Sequence, residues 1–356
     1  MQEIIISKNE AGQRFDKFLV KYFKEAGSGF IYKMLRKKNI ELNGKKATGN
    51  EKLSQGDSVK FFMADETIAK FRGHILAANS NTPEQKHSKK SGFAKENMNI
   101  LKLVADNIVY EDENVLFLNK PSGILSQKAA PSDISINEMI IDYLLEKGDL
   151  TEDVLMTFKP SVCNRLDRNT TGLISFGKSL AGLQELSKGF KDRTFEKYYL
   201  SVVWGNVIEN KTIEGYLSKN ITKNIVSITT KVSDNSSYIR TYYEPLSHGY
   251  IEVNGKEKSI TLLKIKLITG KTHQIRAHLS SIGHGILGDD KYGNKNDNTY
   301  LKSKLGIKYQ MLHSWQLCFG HLTEYEVLKV LENKSLVAKP DIMYKRLFNI
   351  DIDESM

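Results

Sequence analysis

Asn164-Arg165-Leu166-Asp167-Arg168-Asn169-Thr170-Thr171-Gly172-Leu173-Ile174-Ser175-Phe176 passes from a polar loop into an apolar strand. The one acid of the loop sits between two arginines. Neighbouring cations lower a carboxylate's pKa and keep it ionised. An ionised, positioned carboxylate can act as nucleophile, base or electrostatic stabiliser. The strand that follows is one of several short apolar runs. Val115-Leu116-Phe117-Leu118 precedes it, and residues 196–203 and 260–268 read as strands after it. Helical periodicity marks residues 134–147, where Met139, Ile140, Tyr143 and Leu144 are apolar. It also marks residues 179–191, with Leu183, Leu186 and Phe190 on one face. Strands so often followed by strands predict an α+β fold on a mixed, largely antiparallel sheet flanked by helices, not a doubly wound one.

Outward from this loop, five further stretches carry chemistry. In Leu267-Ile268-Thr269-Gly270-Lys271-Thr272-His273-Gln274-Ile275-Arg276 a strand ends at Gly270 and a helix is expected from about Thr272. Arg276 lies three residues after His273, so both project from one face. A helix N-terminus bearing Lys271 and His273 is a natural phosphate seat. Asn119-Lys120-Pro121-Ser122-Gly123 reads as a turn at a strand end. In Glu196-Lys197-Tyr198-Tyr199-Leu200, Lys197 and Tyr199 share one face of a strand and Tyr198 takes the other. Ile286-Leu287-Gly288-Asp289-Asp290-Lys291-Tyr292-Gly293 reads as a strand running into a turn, and Leu312-His313-Ser314-Trp315 is the last.

His273, His278, His284, Asp289 and Asp290 admit a competing reading as a metal-dependent hydrolase. Their spacing is not HExxH, and Gly283 and Gly285 give His284 loop geometry. No metal and no nucleotide cofactor is expected.

The front of the chain is organised differently. Phe15, Phe18, Leu19, Tyr22 and Phe23 recur at the helical period, and residues 31–38 predict a second helix, basic at its end. Ile40-Glu41-Leu42, the tight-turn pair Asn43-Gly44 and a closing strand from Ser58 follow. Lys33, Arg36, Lys37, Lys38, Lys45 and Lys46 would cluster around one helix end and one turn. This order resembles the small RNA-binding module of ribosomal protein S-four. Residues 1–66 are therefore read as that module, 67–99 as a polar basic linker, 100–348 as the large domain and 349–356 as a polar tail.

Charge agrees with this division. The 356 residues carry a net charge of +10, and eight of the ten surplus positive charges fall in residues 1–98. Excess positive charge concentrated at one end favours a polyanion partner. The only cysteines, Cys163 and Cys318, form no CxxC pair, which argues against a disulfide framework. No apolar run reaches the roughly 18 residues that span a bilayer, and no secretory leader is legible. A cytoplasmic monomer with no membrane partner is the expectation.

Taken together and in order, the motifs between residues 106 and 319 resemble the RluA-type family of pseudouridine synthases. Residues 164–172 resemble the family's His-Arg-Leu-Asp-x-x-Thr-Ser-Gly loop. Lys197-x-Tyr199, the run from Thr269 to Arg276, and Gly288-Asp289-x-x-Tyr292-Gly293 match its later motifs. With the front module, the chain is most similar to the RluC branch, whose members modify large-subunit ribosomal RNA. Asn164 stands where the family has His, Thr171 where it has Ser, Lys271 where it more often has Arg, and Gly285 where it has Pro. The resemblance implies that uridine is isomerised to pseudouridine in ribosomal RNA. Transfer RNA, or a non-catalytic role in RNA binding or ribosome assembly, are the alternatives. It implies that Asp167 acts on the ribose or the base. It further implies that Arg276 pairs with Asp167 and that Tyr199 stacks on the uracil and helps remove its C5 proton. Arg165 would fill the gap left by a flipped nucleotide or hold its phosphate. Lys197, Lys271, His273 and the six basic residues of the front module would contact RNA.

Overall fold

In the computed structural model of the chain, which describes residues 1–72, 90–220, 225–233 and 236–352, Asn43 and Gly44 both take left-handed conformations, φ 53° and 69°. That pair makes the two-residue turn a twisted hairpin needs, and it joins the strands Ile40–Leu42 and Lys45–Lys46 in antiparallel register. Four strands form a small sheet in the order Gln2–Ile5, Ser58–Phe61, Ile40–Leu42, Lys45–Lys46. The first of these strands has no signal in the sequence reading. The helices Phe15–Tyr22 and Ser28–Arg36 supply Phe15, Phe18, Leu19, Ile31 and Leu35 to a core closed by Ile40 and Phe61.

These elements belong to a compact unit made of Met1–Ala105, Met139–Ser161 and Gly177–Gln184. The helix Glu152–Thr157 is thus part of it, and the Thr157 hydroxyl donates to Glu10 at 2.7 Å. The Arg72 guanidinium sits 4.6 Å from the centre of the Tyr22 ring. Where the sequence suggests a linker, residues 65–72 and 90–106 are helical. Residues 73–89 lie outside the described residues, as do 353–356 of the expected tail.

Asp106–Glu138, Val162–Phe176 and Glu185–Met356 make the second unit. Its eleven-stranded sheet runs Ile225–Thr229, Lys211–Asn220, Ser236–Val253, Lys256–Leu267, Phe195–Trp204, Leu312–Phe319, Thr171–Gly177, Val115–Lys120, Ile108–Glu111. Two short strands, Ser335–Val337 and Ser161–Val162, attach beside Leu312–Phe319 and Thr171–Gly177. Neighbours from Ile225–Thr229 to Leu312–Phe319 pair antiparallel. Leu312–Phe319 then meets Thr171–Gly177 in parallel, His313 opposite Thr171. The sheet is mixed and largely antiparallel, as the succession of strand after strand predicts.

Phe195–Trp204 lies at its centre, with Leu200, Val202 and Val203 fully buried. The helix Gln274–Ser281 buries six successive residues, Gln274 to Leu279. Ala277 packs with Leu217, Val226 and Ile239, while Ile275 and Leu279 enter the main core. That double anchorage fixes the direction in which Arg276 points. The strand expected at Ile286-Leu287 is reduced to a single bridge between Ile286 and Val203. Gly288 ends it at φ 74°, where a Cβ would meet the Tyr309 carbonyl oxygen at 2.4 Å.

Candidate active site

The loop that carries Asp167 is held from below at almost every residue. Leu166 is buried in the core, and its backbone N–H and C=O both bond to the Ser126 hydroxyl, at 2.9 and 2.8 Å. Lys120 is fully buried at the end of its strand. Its ammonium donates to the carbonyls of Pro121, Ile124 and Arg168 at 2.8, 2.9 and 3.0 Å. Burial pulls this lysine down to about 7, and the charge of Asp167 pulls it back up. Asn164, one of the departures from the family motif, is bonded to the strand that follows it. It donates to Leu173 O at 3.2 Å and accepts from Ser175 N and Oγ at 2.7 and 2.8 Å. The side chain therefore staples the loop to the strand that follows.

The strand end is equally constrained. Gly172 has φ 105°, and a Cβ there would lie 2.1 Å from the Ser314 carbonyl oxygen, so only glycine fits. Thr171, the second departure, keeps the hydroxyl of serine and bonds to His313 Nδ1 at 2.8 Å. His313 Nε2 faces the Ala338 carbonyl at 2.9 Å and can only donate to it. Nδ1 is therefore the acceptor, and burial pushes this imidazole down to about 4.

Asp167 itself is a quarter exposed. The two arginines beside it in sequence are exposed and make no ion pair with it. Its cation is Arg276, whose Nη1 donates to Asp167 Oδ2 at 2.8 Å. The rest of the guanidinium grips Asp289: Nε to Oδ2 at 2.7 Å and Nη2 to Oδ1 at 2.8 Å. Asp289 is fully buried and also accepts from Lys291 N and Tyr292 N. Burial works to raise its carboxyl, but the Arg276 hydrogen bonds and charge outweigh that and hold it below the ordinary range. Arg276 is thus a buried bridge between one carboxylate that is sealed in and one that is presented. Such charge-assisted, bidentate geometry is both strong and directional.

Only one oxygen of Asp167 is taken up. Among the described residues Oδ2 has Arg276, with His273 Nε2 at 3.8 Å, while no donor reaches Oδ1. Oδ1 is therefore the oxygen free for a ligand. The carboxylate faces a cavity of about 1060 Å³. One wall is the strand Phe195–Trp204, which presents Lys197 and Tyr199 to the cavity. Tyr198 points the other way, where Lys264 and Lys266 lie over its ring. Burial raises the Tyr199 phenol to about 12, with the Asp167 charge adding to the rise against a hydrogen bond from Ser314. It is a neutral phenol at physiological pH. Burial and then Arg193 lower the Lys197 ammonium, which lies beside Gly270. Arg165, Arg193, Lys219, Lys271 and Lys291 add a basic rim, against which Asp290 is the only other lining acid among the described residues.

His273 turns inward, not outward as its sequence position suggests. It takes a left-handed conformation (φ 54°) at the start of the helix, and its side chain is 7% exposed. The ring faces Asp167 on one side and the Tyr292 hydroxyl, 3.1 Å from Nδ1, on the other. Lys271 stays exposed at the rim. In the first unit Lys33, Arg36, Lys37, Lys38, Lys45 and Lys46 are all exposed, and none has an ion pair among the described residues. The five residues of the metal-hydrolase reading do not converge. His278 bonds to Thr241, His284 to the Trp204 carbonyl, and Asp289 is occupied by Arg276. Sequence reasoning quoted Lys120, Tyr292 and His313 without roles, and gave Asp289 a place only in the metal-hydrolase reading. The signal for Lys120 was a lysine closing a mostly apolar strand.

A family model described as RNA pseudouridylate synthase matches residues 114–281. The ribosomal large subunit pseudouridine synthase C of Rickettsia felis is 31% identical over 320 residues, 89% of this chain and 92% of that one. The protein of the same name from Vibrio cholerae is 29% identical over 331 residues, covering 93% and 92%. Among solved structures, human RNA pseudouridylate synthase domain containing 4 shares the fold. Its TM-score is 0.53 and its identity 21%, over 71% of this chain and 95% of that one.

Proposed function

Because the chain belongs to the RNA pseudouridylate synthases, as an RluA-type, RluC-like member, we propose that it converts uridine to pseudouridine in large-subunit ribosomal RNA, with Asp167 as its catalytic carboxylate. The enzyme is an isomerase, so substrate and product have the same composition. The bond from ribose C1′ to uracil N1 breaks, the base turns, and C1′ joins C5. The proton on C5 leaves, and N1 gains one. The reaction asks for a fixed negative charge, a cavity that admits a whole nucleotide and a way to move one proton.

The observation that carries this reading is the asymmetry of Asp167. Arg276 pins Oδ2 at 2.8 Å, and Asp289 pins Arg276, so Oδ1 enters the cavity with its direction set. Preorganised charge of this kind needs no rearrangement when the substrate arrives. Attack on the ribose and attack on the base both use that oxygen. Tyr199 offers its ring as a face for the uracil. As a phenol near 12 it holds a proton at neutral pH, so it receives the C5 proton only in concert with passing its own onward. Lys197, Lys271 and Arg165, which line the cavity, would hold phosphates. A stacked base must leave the helix before its C1′ and C5 can be reached, at a cost of a few kcal/mol. Arg165, exposed beside Asp167, suits the gap such a base leaves. The basic residues of the first 66 positions serve as an RNA-binding module that offsets part of that cost.

The ribosomal substrate rests on the names of the relatives that match nearly the whole chain. Mapping pseudouridine across large-subunit ribosomal RNA from cells with and without the gene tests it. The expected result is the loss of one or a few sites, restored by the wild-type gene. An unchanged ribosomal map alongside a changed transfer RNA map would move the substrate.

A further inference from the structure

His273 and Tyr292 form a linked pair next to the carboxylate, and their hydrogens can be placed by elimination. Val226 N–H donates to the Tyr292 oxygen at 3.0 Å. The Tyr292 oxygen lies 3.1 Å from His273 Nδ1. If Nδ1 carried the proton, the phenolic hydrogen would have no acceptor among the described residues. Nε2 would then turn a lone pair toward the Asp167 carboxylate oxygen 3.8 Å away. If Tyr292 donates to Nδ1, both problems vanish. Nε2 then carries the proton and aims it at Asp167 Oδ2, the oxygen that Arg276 already holds.

We propose that His273 is a positioning residue that works as the neutral Nε2–H tautomer, fixed by Tyr292, and that it confines Asp167 so that Oδ1 alone meets the uridine. This rests on the reading of Asp167 given above. Neutrality is the functional point. The groups that face the ring are Asp167 and Asp289, which favour its protonation, and Arg276 and Lys291, which oppose it. Burial is the largest influence, and the net effect lowers its pKa from 6.5. An imidazolium would reverse the Tyr292 link and leave the phenolic hydrogen without an acceptor among the described residues. It would also draw Asp167 into an ion pair and away from the substrate. Acidification therefore switches the site off through His273.

Two measurements on the full-length protein test this. The ¹⁵N shifts of the His273 ring at pH 7.5, assigned by comparison with His273→Gln, are expected to show a protonated Nε2 and a bare Nδ1. A protonated Nδ1 overturns the proposal whatever the enzyme's substrate. The second is the pH profile of single-turnover pseudouridine formation. In wild type the rate falls on the acid side. In Tyr292→Phe that limb moves to higher pH, because the donor that stabilises the neutral ring is gone. In His273→Gln the limb due to the ring disappears, and the plateau rate drops severalfold because Asp167 loses the ring that confines it, with KM for RNA little changed. An acid limb unaltered in both variants overturns the proposal. If no variant and no wild type forms pseudouridine, the Asp167 reading fails while the tautomer result still stands.

Discussion

Asp289 never touches the cavity, yet the aim of Asp167 depends on it. Two hydrogen bonds to Arg276, at 2.7 and 2.8 Å, leave the guanidinium one free edge, and that edge faces Asp167. Breaking a buried ion pair by removing one partner leaves an uncompensated charge and costs about 3–5 kcal/mol. By loosening the aim of Arg276, Asp289→Asn should also lower the single-turnover rate by roughly a hundredfold with little change in KM for RNA. A wild-type rate would mean that Asp167 alone orients Arg276. At this scale the residues alone pointed to the flanking Arg165 and Arg168 as the cations beside Asp167, whereas the family resemblance named Arg276. Arg165 and Arg168 are exposed, and the partner is Arg276, 109 residues away. Sequence neighbours on a turn diverge, whereas a buried helix returns a distant side chain to the same point. His273 likewise looked like a surface phosphate contact, because its left-handed backbone, which turns the ring inward, leaves no mark in composition.

Among the elements, the loop before Thr171–Gly177 is kept rigid by donors buried beneath it. Lys120→Met keeps the length of the side chain but leaves three carbonyls without their ammonium. At about 1 kcal/mol for each lost bond, unfolding in urea should show a loss of roughly 3 kcal/mol. A loss below about 0.5 kcal/mol would show that the loop is held without it. The partner strand adds a pH dependence. His313, buried and bonded to Thr171 and Ala338, titrates at about 4 when folded and near 6.5 when unfolded. Below 6.5 the unfolded chain binds more protons, so stability is complete above that pH and is lost as pH falls toward 4. The term amounts to roughly 2 kcal/mol by pH 5. His278, also pushed to about 4 by burial, acts in the same direction. Thermal melts at pH 7.5 and 5.0 should differ by several degrees. The difference should shrink in His313→Asn, and an unchanged difference would contradict the assignment. Strands and helices with strong periodicity were readable in advance, as Phe195–Trp204 and Leu180–Asp192 show. Gln2–Ile5 was missed, since four residues at a chain end gain strand structure only from the neighbour they pair with.

For the molecule as a whole, charge and turn signals suggested a division between a basic front and a large sheet domain. The unit that holds the front residues also takes in Met139–Ser161, which no boundary drawn along the sequence could include. Truncating the front would strip the Glu152–Thr157 helix of Glu10, so charge substitutions are the cleaner probe. Replacing Arg36, Lys37 and Lys38 with Gln should weaken RNA binding and make the slope of log K against log salt shallower by about 2 to 3. Catalysis on saturating RNA should persist. An identical salt slope would remove these residues from the interface.

The most direct measurement is single-turnover pseudouridine formation by Asp167→Asn on ribosomal RNA, run beside a binding assay on the same preparation. The amide keeps the shape of the side chain and a hydrogen-bond acceptor for Arg276 while removing the charge at Oδ1. The predicted result is RNA bound at near wild-type affinity and a rate reduced by roughly a thousandfold or more. A variant that binds RNA and still forms pseudouridine at close to the wild-type rate would contradict the assignment of Asp167.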